Sequence, residues 1–438
     1  MPATNLIPNP RFVHGKLGGL PEGWSVFAAR PSLAPSFRLA RKDGGQVLMA
    51  AGGGRPDCVG YLSTQFPITL GRTYQFRVQF TMSSGVDPHQ HLLFQCYGPG
   101  ANSGIHEFRR LEGGWVEGSA KIAYDGQGDG KAEVRILFRL SAAGKVWVRE
   151  VSLTETEPVE PRWVRVACTQ GKPDLASCRA VLEAAGRAGA DLVLLSEYMQ
   201  GDRIEEALRG PSFELMAEKA QEHRMFVAGG IVRRDEAADR VTNTALLLDR
   251  RGELVGSYDK LHPYSPELNE QGISPGREVP VFETEIGRIG FMICYDSWFT
   301  DVAELLSLKG AQIVLFPNAG CYRALLHARA ADNRVRIVCS SWNSGYGVWD
   351  TVGRDLVHPE QDRSHGDPPG VTYRDPVEQQ LGESGLFMVS LDLNCSPSPH
   401  YNGGSMFEAP GGRRNRREQA VFLEEQIRAE RERWWSSP

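Results

Sequence analysis

Several side chains capable of acid–base and nucleophilic chemistry stand where hydrophobic runs give out. Leu192-Val-Leu-Leu195 ends in Ser196-Glu197, and Tyr258-Asp259 runs into Lys260, with a second carboxylate at Glu267. Gly290-Phe-Met-Ile293 stops at Cys294, followed by Tyr295 and Asp296. A free cysteine is by default a small buried hydrophobe. To act as a nucleophile, a thiol of ordinary pKa ~8.5 needs a base or a nearby positive charge at neutral pH. A glutamate supplies the base, and its protonated form can later give the proton to a leaving amine. A lysine, with backbone N–H groups, can hold a developing oxyanion. Singly, each group has a plainer role: Glu197 as a helix cap, Lys260 as a solvated hairpin lysine, Glu267 as a loop carboxylate. Their place at strand ends, where reactive groups of α/β sheets gather, permits a catalytic role and by itself is a weak signal of one.

The elements that must position these groups begin near residue 162. Trp163–Cys168 is an apolar strand, and Asp174–Gly189 follows with helical spacing of Leu175, Cys178, Leu182 and Ala185. Asp191–Leu195 is continuously apolar, as strands covered on both faces are. A helix around Ser212–His223, the strand Met225–Gly229 and a hairpin about Arg250-Arg-Gly252 come next. Alternation of strand and helix implies α/β layering.

Together these segments resemble the nitrilase, or carbon–nitrogen hydrolase, superfamily, whose glutamate, lysine and cysteine follow this chain order. Gly290-Phe-Met-Ile-Cys-Tyr-Asp296 resembles the family's nucleophile motif and Ser274-Pro-Gly276 its Pro-Gly after the lysine loop. The likeness continues through Gly310–Pro317, Arg323–Arg334, Arg336–Ser340 and Ser384–Asp392. It implies catalysis by Glu197, Lys260 and Cys294, with Glu267 as a supporting acid and the Tyr295 backbone N–H as an oxyanion donor. It implies no cofactor and no metal, a thioester intermediate, and a four-layer α-β-β-α arrangement after dimerisation. Nitrile-cleaving members often carry Trp-Glu after the nucleophile. Tyr295-Asp296 instead resembles the amidase and carbamoyl-hydrolase branches, so an amide-type small molecule is the expected substrate, with a nitrile as the alternative. A carbohydrate-binding protein with a vestigial hydrolase domain is the alternative of another class.

Residues 1–158 read differently. Arg72–Met82 alternates strictly, Tyr74, Phe76, Val78, Phe80 and Met82 against Gln75, Arg77, Gln79 and Thr81, which marks a half-buried strand. Ala132–Leu140 and Lys145–Val151 repeat the pattern between Gly-rich breaks, implying an antiparallel β-sandwich. The opening Asn5–Phe12 and Gly23-Trp24 resemble jelly-roll modules of the carbohydrate-binding type. A sugar is therefore a candidate ligand for Trp24, Trp115 and Trp147, although core packing suits most of them. Asp125–Gly130 has Ile136 where an EF-hand needs its final glutamate, so a hairpin turn is expected there. Glu155–Pro161 reads as a linker, placing the catalytic domain at 159–438.

The remaining observations set bounds. A chain of 438 residues suggests two domains. A formal net charge of −5 gives no reason to expect nucleic acid. No apolar run has the ~18 residues that cross a bilayer. The N-terminus lacks the pattern of a secretory signal. The eight cysteines show no metal-ligand spacing, which favours a cytoplasmic location over a disulfide framework. Asp350–Glu383 departs from the family's compact hairpin and reads as a long loop, its His358 and His365 solvated. Arg413–Arg433 interleaves Arg and Glu around Val421, Phe422 and Ile427, as a helical tail packed on another subunit of a homo-oligomer would.

Overall fold

The computed structural model describes residues 4–394, apart from residues 100, 106–107, 125–127, 203, 321, 343–345 and 358–372, together with residues 426 and 429. The expected C-terminal tail, His358 and His365 thus lie outside the described residues. Contacts divide the chain into two compact units that meet at Glu160 and Pro161.

In the first unit the alternating strand Arg72–Met82 buries Tyr74, Phe76, Val78 and Phe80 and turns Arg77 to solvent. It pairs antiparallel with Lys145–Thr156 and Val116–Tyr124 within a six-stranded sheet. A five-stranded sheet contains Val59–Pro67, Lys131–Arg139 and Leu92–Gly98. Phe76 and Phe80 of one sheet share an apolar cluster with Phe94, Ile136 and Phe138 of the other, which makes a two-sheet antiparallel sandwich. Lys145–Thr156 runs past the expected end at Val151 into the stretch read as linker. Trp24 is buried against Phe12, and its indole N–H donates to the Pro8 carbonyl. Trp115 is buried beneath Arg149, and Lys42 covers the ring of Trp147. Trp24 and Trp115 therefore belong to packing, while Trp147 is half-buried.

The second unit is built on a sheet whose parallel centre runs through Trp163–Gln170, Leu192–Leu194 and Phe226–Asp235 on one side. Arg336–Ser341, Ile313–Asn318 and Gly287–Phe291 form its other half. Trp163–Gln170 is the junction. It pairs along its whole length with Ser384–Asp392 but touches Arg336–Ser341 only at Gln170. The two halves face one another. A Cβ on Gly256 would strike the Phe282 ring at 2.2 Å, so only glycine lets these strands approach. Phe282 in turn packs edge-on against Phe291.

Helices cover both outer faces. Leu175–Arg187, capped by the Asp174 carboxylate accepting from the Ser177 N–H, and Pro211–His223 bury Val181, Leu182, Phe213 and Met216 against Val193, Val227 and Leu246. Asp301–Leu308 and Arg323–Asn333 cover the other half with Val302, Leu306, Leu326 and Ala330. The four layers therefore exist within one chain, without the second subunit that the sequence reading invoked. A second correction concerns Asp350–Glu383. Tyr373–Leu381 is a strand paired with Ser384–Asp392, not loop. Its middle residues are all exposed, and Pro376 sits in a bulge between Arg374 and Val377. No buried face leaves no alternation to read.

Candidate active site

Each candidate group lies just beyond a strand of the second unit. Glu197 follows Leu192–Leu194 by three residues, Lys260 directly follows Leu254–Asp259, and Cys294 follows Gly287–Phe291 by three. Glu267 is carried back by the short helix Ser265–Asn269. Gly230 permits this convergence, because a Cβ there would lie 2.9 Å from the Glu197 Cα.

The structure brings Glu197, Lys260, Glu267 and Cys294 together. Lys260 Nζ donates to Glu197 Oε1 at 3.0 Å and to Glu267 Oε2 at 2.8 Å. All three are buried, Glu197 and Lys260 at 1% exposure. Glu267 is saturated: its Oε1 accepts from the Tyr198 hydroxyl and Asn243 Nδ2, its Oε2 from Lys260 and the Tyr264 backbone N–H. Burial alone would raise its pKa, but the Lys260 charge and these donors outweigh burial and hold it below the ordinary carboxylate value. Glu197 goes the other way. Burial raises its pKa, the Glu267 charge adds to this, and Lys260 and Asn243 only partly compensate. Two adjacent carboxylates with pKa values driven apart divide naturally into a fixed anion and a proton carrier.

Cys294 is the one partly exposed cysteine among the six described. Burial, and then the Glu197 carboxylate, push its thiol up to about 12, while Lys260 and the Ala319 backbone N–H act in the opposite sense. The thiol therefore rests protonated, hydrogen-bonded to Glu197. Lys260 stays firmly cationic: burial opposes the charge, but Glu197, Cys294 and Glu267 prevail.

Cys294 has φ +42° and opens the 3-10 turn Cys294–Trp298 that also holds Tyr295. Tyr198, after Glu197, has φ +53°. Positive φ outside glycine is uncommon and concentrates at functional sites.

The turn is fixed by Asp296, which is fully buried. Its carboxylate accepts from the Ile293 N–H at 2.9 Å, the Tyr258 hydroxyl at 2.7 Å and the His262 N–H at 2.9 Å. The His262 ring lies 3.1 Å from the same carboxylate and stacks on Phe299. Hydrogen bonding to Asp296 raises the His262 pKa against a smaller opposing effect of burial.

Asn243 was not among the residues singled out from the sequence. Its side-chain amide donates to Glu197 Oε1 at 2.6 Å and Glu267 Oε1 at 2.8 Å, with no exposure. The available signal was Thr242-Asn-Thr244, a polar triplet entering the apolar run Ala245–Leu248. Asp296 and His262 were likewise visible only as neighbours of the named residues. Among the described residues, the one carboxylate–histidine group spaced for a metal is Glu183, Glu222 and His223, and both of its glutamates already pair with the Lys219 ammonium.

Residues 165–348 match the sequence model of the carbon–nitrogen hydrolase family. This match agrees with the resemblance of the second unit to the nitrilase superfamily noted above. It is 28% identical over 186 residues to omega-amidase NIT2 of Xenopus tropicalis, covering 38% of this chain and 67% of the relative. The omega-amidase NIT2 of Homo sapiens is 27% identical over the same shares. Hydrolase C26A3.11 of Schizosaccharomyces pombe is 25% identical over 231 residues, covering 44% of this chain and 68% of the relative. Among solved structures, an amidase from Nesterenkonia sp. AN1 aligns over 54% of this chain and 93% of its own, with a TM-score of 0.43 and 20% identity.

Proposed function

We propose that the second unit is a thiol amidohydrolase that cleaves a non-peptide carbon–nitrogen bond, amide or carbamoyl, of a small molecule. The observation that carries this is the meeting of a protonated thiol, a carboxylate of raised pKa and a buried ammonium in one hydrogen-bonded network. Glu197 Oε1 is engaged by Lys260 and Asn243, so Oε2 is the oxygen left to take the Cys294 proton. Cys294 Sγ attacks the carbonyl carbon as that proton moves to Glu197. Lys260 and the Tyr295 backbone N–H receive the oxyanion, at about 3 kcal/mol per donor. Glu197 then returns the proton to the leaving nitrogen, the C–N bond breaks, and a thioester remains. Water, deprotonated by Glu197, attacks the thioester. The acid leaves and the proton returns to sulfur. Glu267 is an anchor in this scheme, because both of its oxygens are occupied by donors.

The omega-amidase names of the relatives and the Tyr295-Asp296 pair both favour an amide over a nitrile. The test is turnover of simple amides, carbamoyl compounds and nitriles by wild type, Cys294→Ala and Glu197→Gln. Both variants are expected to lose at least about 10³-fold in kcat. An acyl adduct on Cys294 should appear by mass spectrometry in wild type quenched during turnover. Persisting turnover in Cys294→Ala refutes the mechanism.

A further inference from the structure

The exposed flank of the Cys294 turn is crowded with aromatic side chains. Tyr295 packs edge-on against Tyr264 at 5.4 Å and Phe299 at 5.5 Å between ring centroids. Trp298 packs edge-on against Tyr322 at 5.0 Å and lies 6.2 Å from Tyr295. These rings would ordinarily be buried, yet Tyr264 is 52% exposed, Trp298 50% and Tyr322 64%. Contiguous exposed apolar surface of this kind marks a binding surface.

Every member of this collar is tied to the candidate catalytic groups by a short stretch of chain. Tyr295 and Trp298 share the turn that Cys294 opens. Tyr264 gives its backbone N–H to Glu267. Tyr322 comes three residues after Ala319, whose N–H bears on the Cys294 sulfur. Phe299 is held by stacking on His262, with centroids 4.1 Å apart. The collar is therefore carried by the same turn and loops that carry the candidate catalytic groups.

We propose that this collar binds a flat, apolar group, such as an aromatic ring, on the acyl part of the substrate. The inference rests on the amidohydrolase reading and deepens it. In that reading Lys260 takes the carbonyl oxygen and the leaving nitrogen must face Glu197. The acyl substituent is then the group left to run out along the exposed side of the nucleophile's own turn. Tyrosine and tryptophan offer large apolar area there at little conformational cost, and ring–ring contacts add to that burial.

The probes are 3-phenylpropionamide and propionamide, which share the scissile group and differ by the ring. Wild type is expected to prefer the phenyl compound by at least about tenfold in kcat/KM, and Trp298→Ala and Tyr322→Ala to bring that ratio towards one. Both residues are half exposed or more, so truncation removes little core packing. Calorimetric titration of the Cys294→Ala protein with the same two amides reads the collar without turnover. The same preference is expected in binding, and its loss when Trp298→Ala is added. A wild-type ratio near one, or a ratio unchanged in both variants, overturns the collar proposal and leaves the thiol mechanism standing. Turnover surviving Cys294→Ala overturns the mechanism, while the titration still decides the collar. A change in subunit number on Trp298→Ala, by sedimentation, would assign the aromatic surface to contact between copies and overturn the proposal as well.

Discussion

Asn243 illustrates how much of this site depends on a residue with no chemistry of its own. One amide NH2 group spans two carboxylates, and each of its bonds stabilises an anion. Removing it should let the Glu197 pKa climb further, because Asn243 is one of the groups holding it down. Ionised Glu197 is the form that accepts the thiol proton, so a higher pKa shrinks the active fraction at any pH below it. Asn243→Leu is therefore expected to move the acidic limb of the kcat/KM–pH profile upward. Activity should fall by about 10- to 100-fold near neutrality and partly recover at higher pH. Profiles of wild type and variant over the range where both stay folded make the comparison. A uniform loss at every pH would mean that Asn243 only supports packing.

At the scale of elements, the nucleophile turn is held by a carboxylate that never meets substrate in the proposed mechanism. Asp296 joins the end of Gly287–Phe291 to Tyr258 and His262, elements otherwise separate in the chain. Asp296→Asn keeps the size but presents an NH2 group to donors that need an acceptor. A cost of about 3 kcal/mol in urea unfolding is expected, with a lower kcat than KM alone would explain. The His262 contribution has a definite sign. Its pKa is raised, so its stabilisation is full below the ordinary value of 6.5 and is lost as pH rises through the folded value. The stability gap between wild type and Asp296→Asn should accordingly narrow on the alkaline side. The turn also shows what the sequence made legible. Strand ends at Glu197 and Cys294 could be read because apolar runs stop abruptly in front of polar residues, and Lys260 because it ends a hairpin in a segment resembling the family's. Asn243 could not, since a polar residue inside a strand looks the same whether it faces solvent or a buried carboxylate. Tyr373–Leu381 stayed hidden for the opposite reason: a strand with both faces wet carries no hydrophobic period.

For the whole molecule, the cores are the informative feature. One apolar cluster draws its buried members from Ile7 to Leu153. The clusters of the second unit draw theirs from Val164 to Leu393. A unit with a core of its own can unfold on its own. This predicts two urea transitions and a way to tell them apart. Phe76 is fully buried in the sandwich, and Phe76→Ala should lower the stability of that unit by about 3–5 kcal/mol. Leu194, equally buried, belongs to the second unit, and Leu194→Ala should lower the other transition by about 2–5 kcal/mol. Distant sites without shared partners add, so each substitution should move one transition and leave its neighbour in place. Tryptophan fluorescence, followed beside loss of amide turnover in the same urea series, identifies which transition belongs to which unit. If Phe76→Ala shifts both transitions together, the two cores unfold as one cooperative body and the chain cannot be treated as a catalytic unit with an independent sandwich.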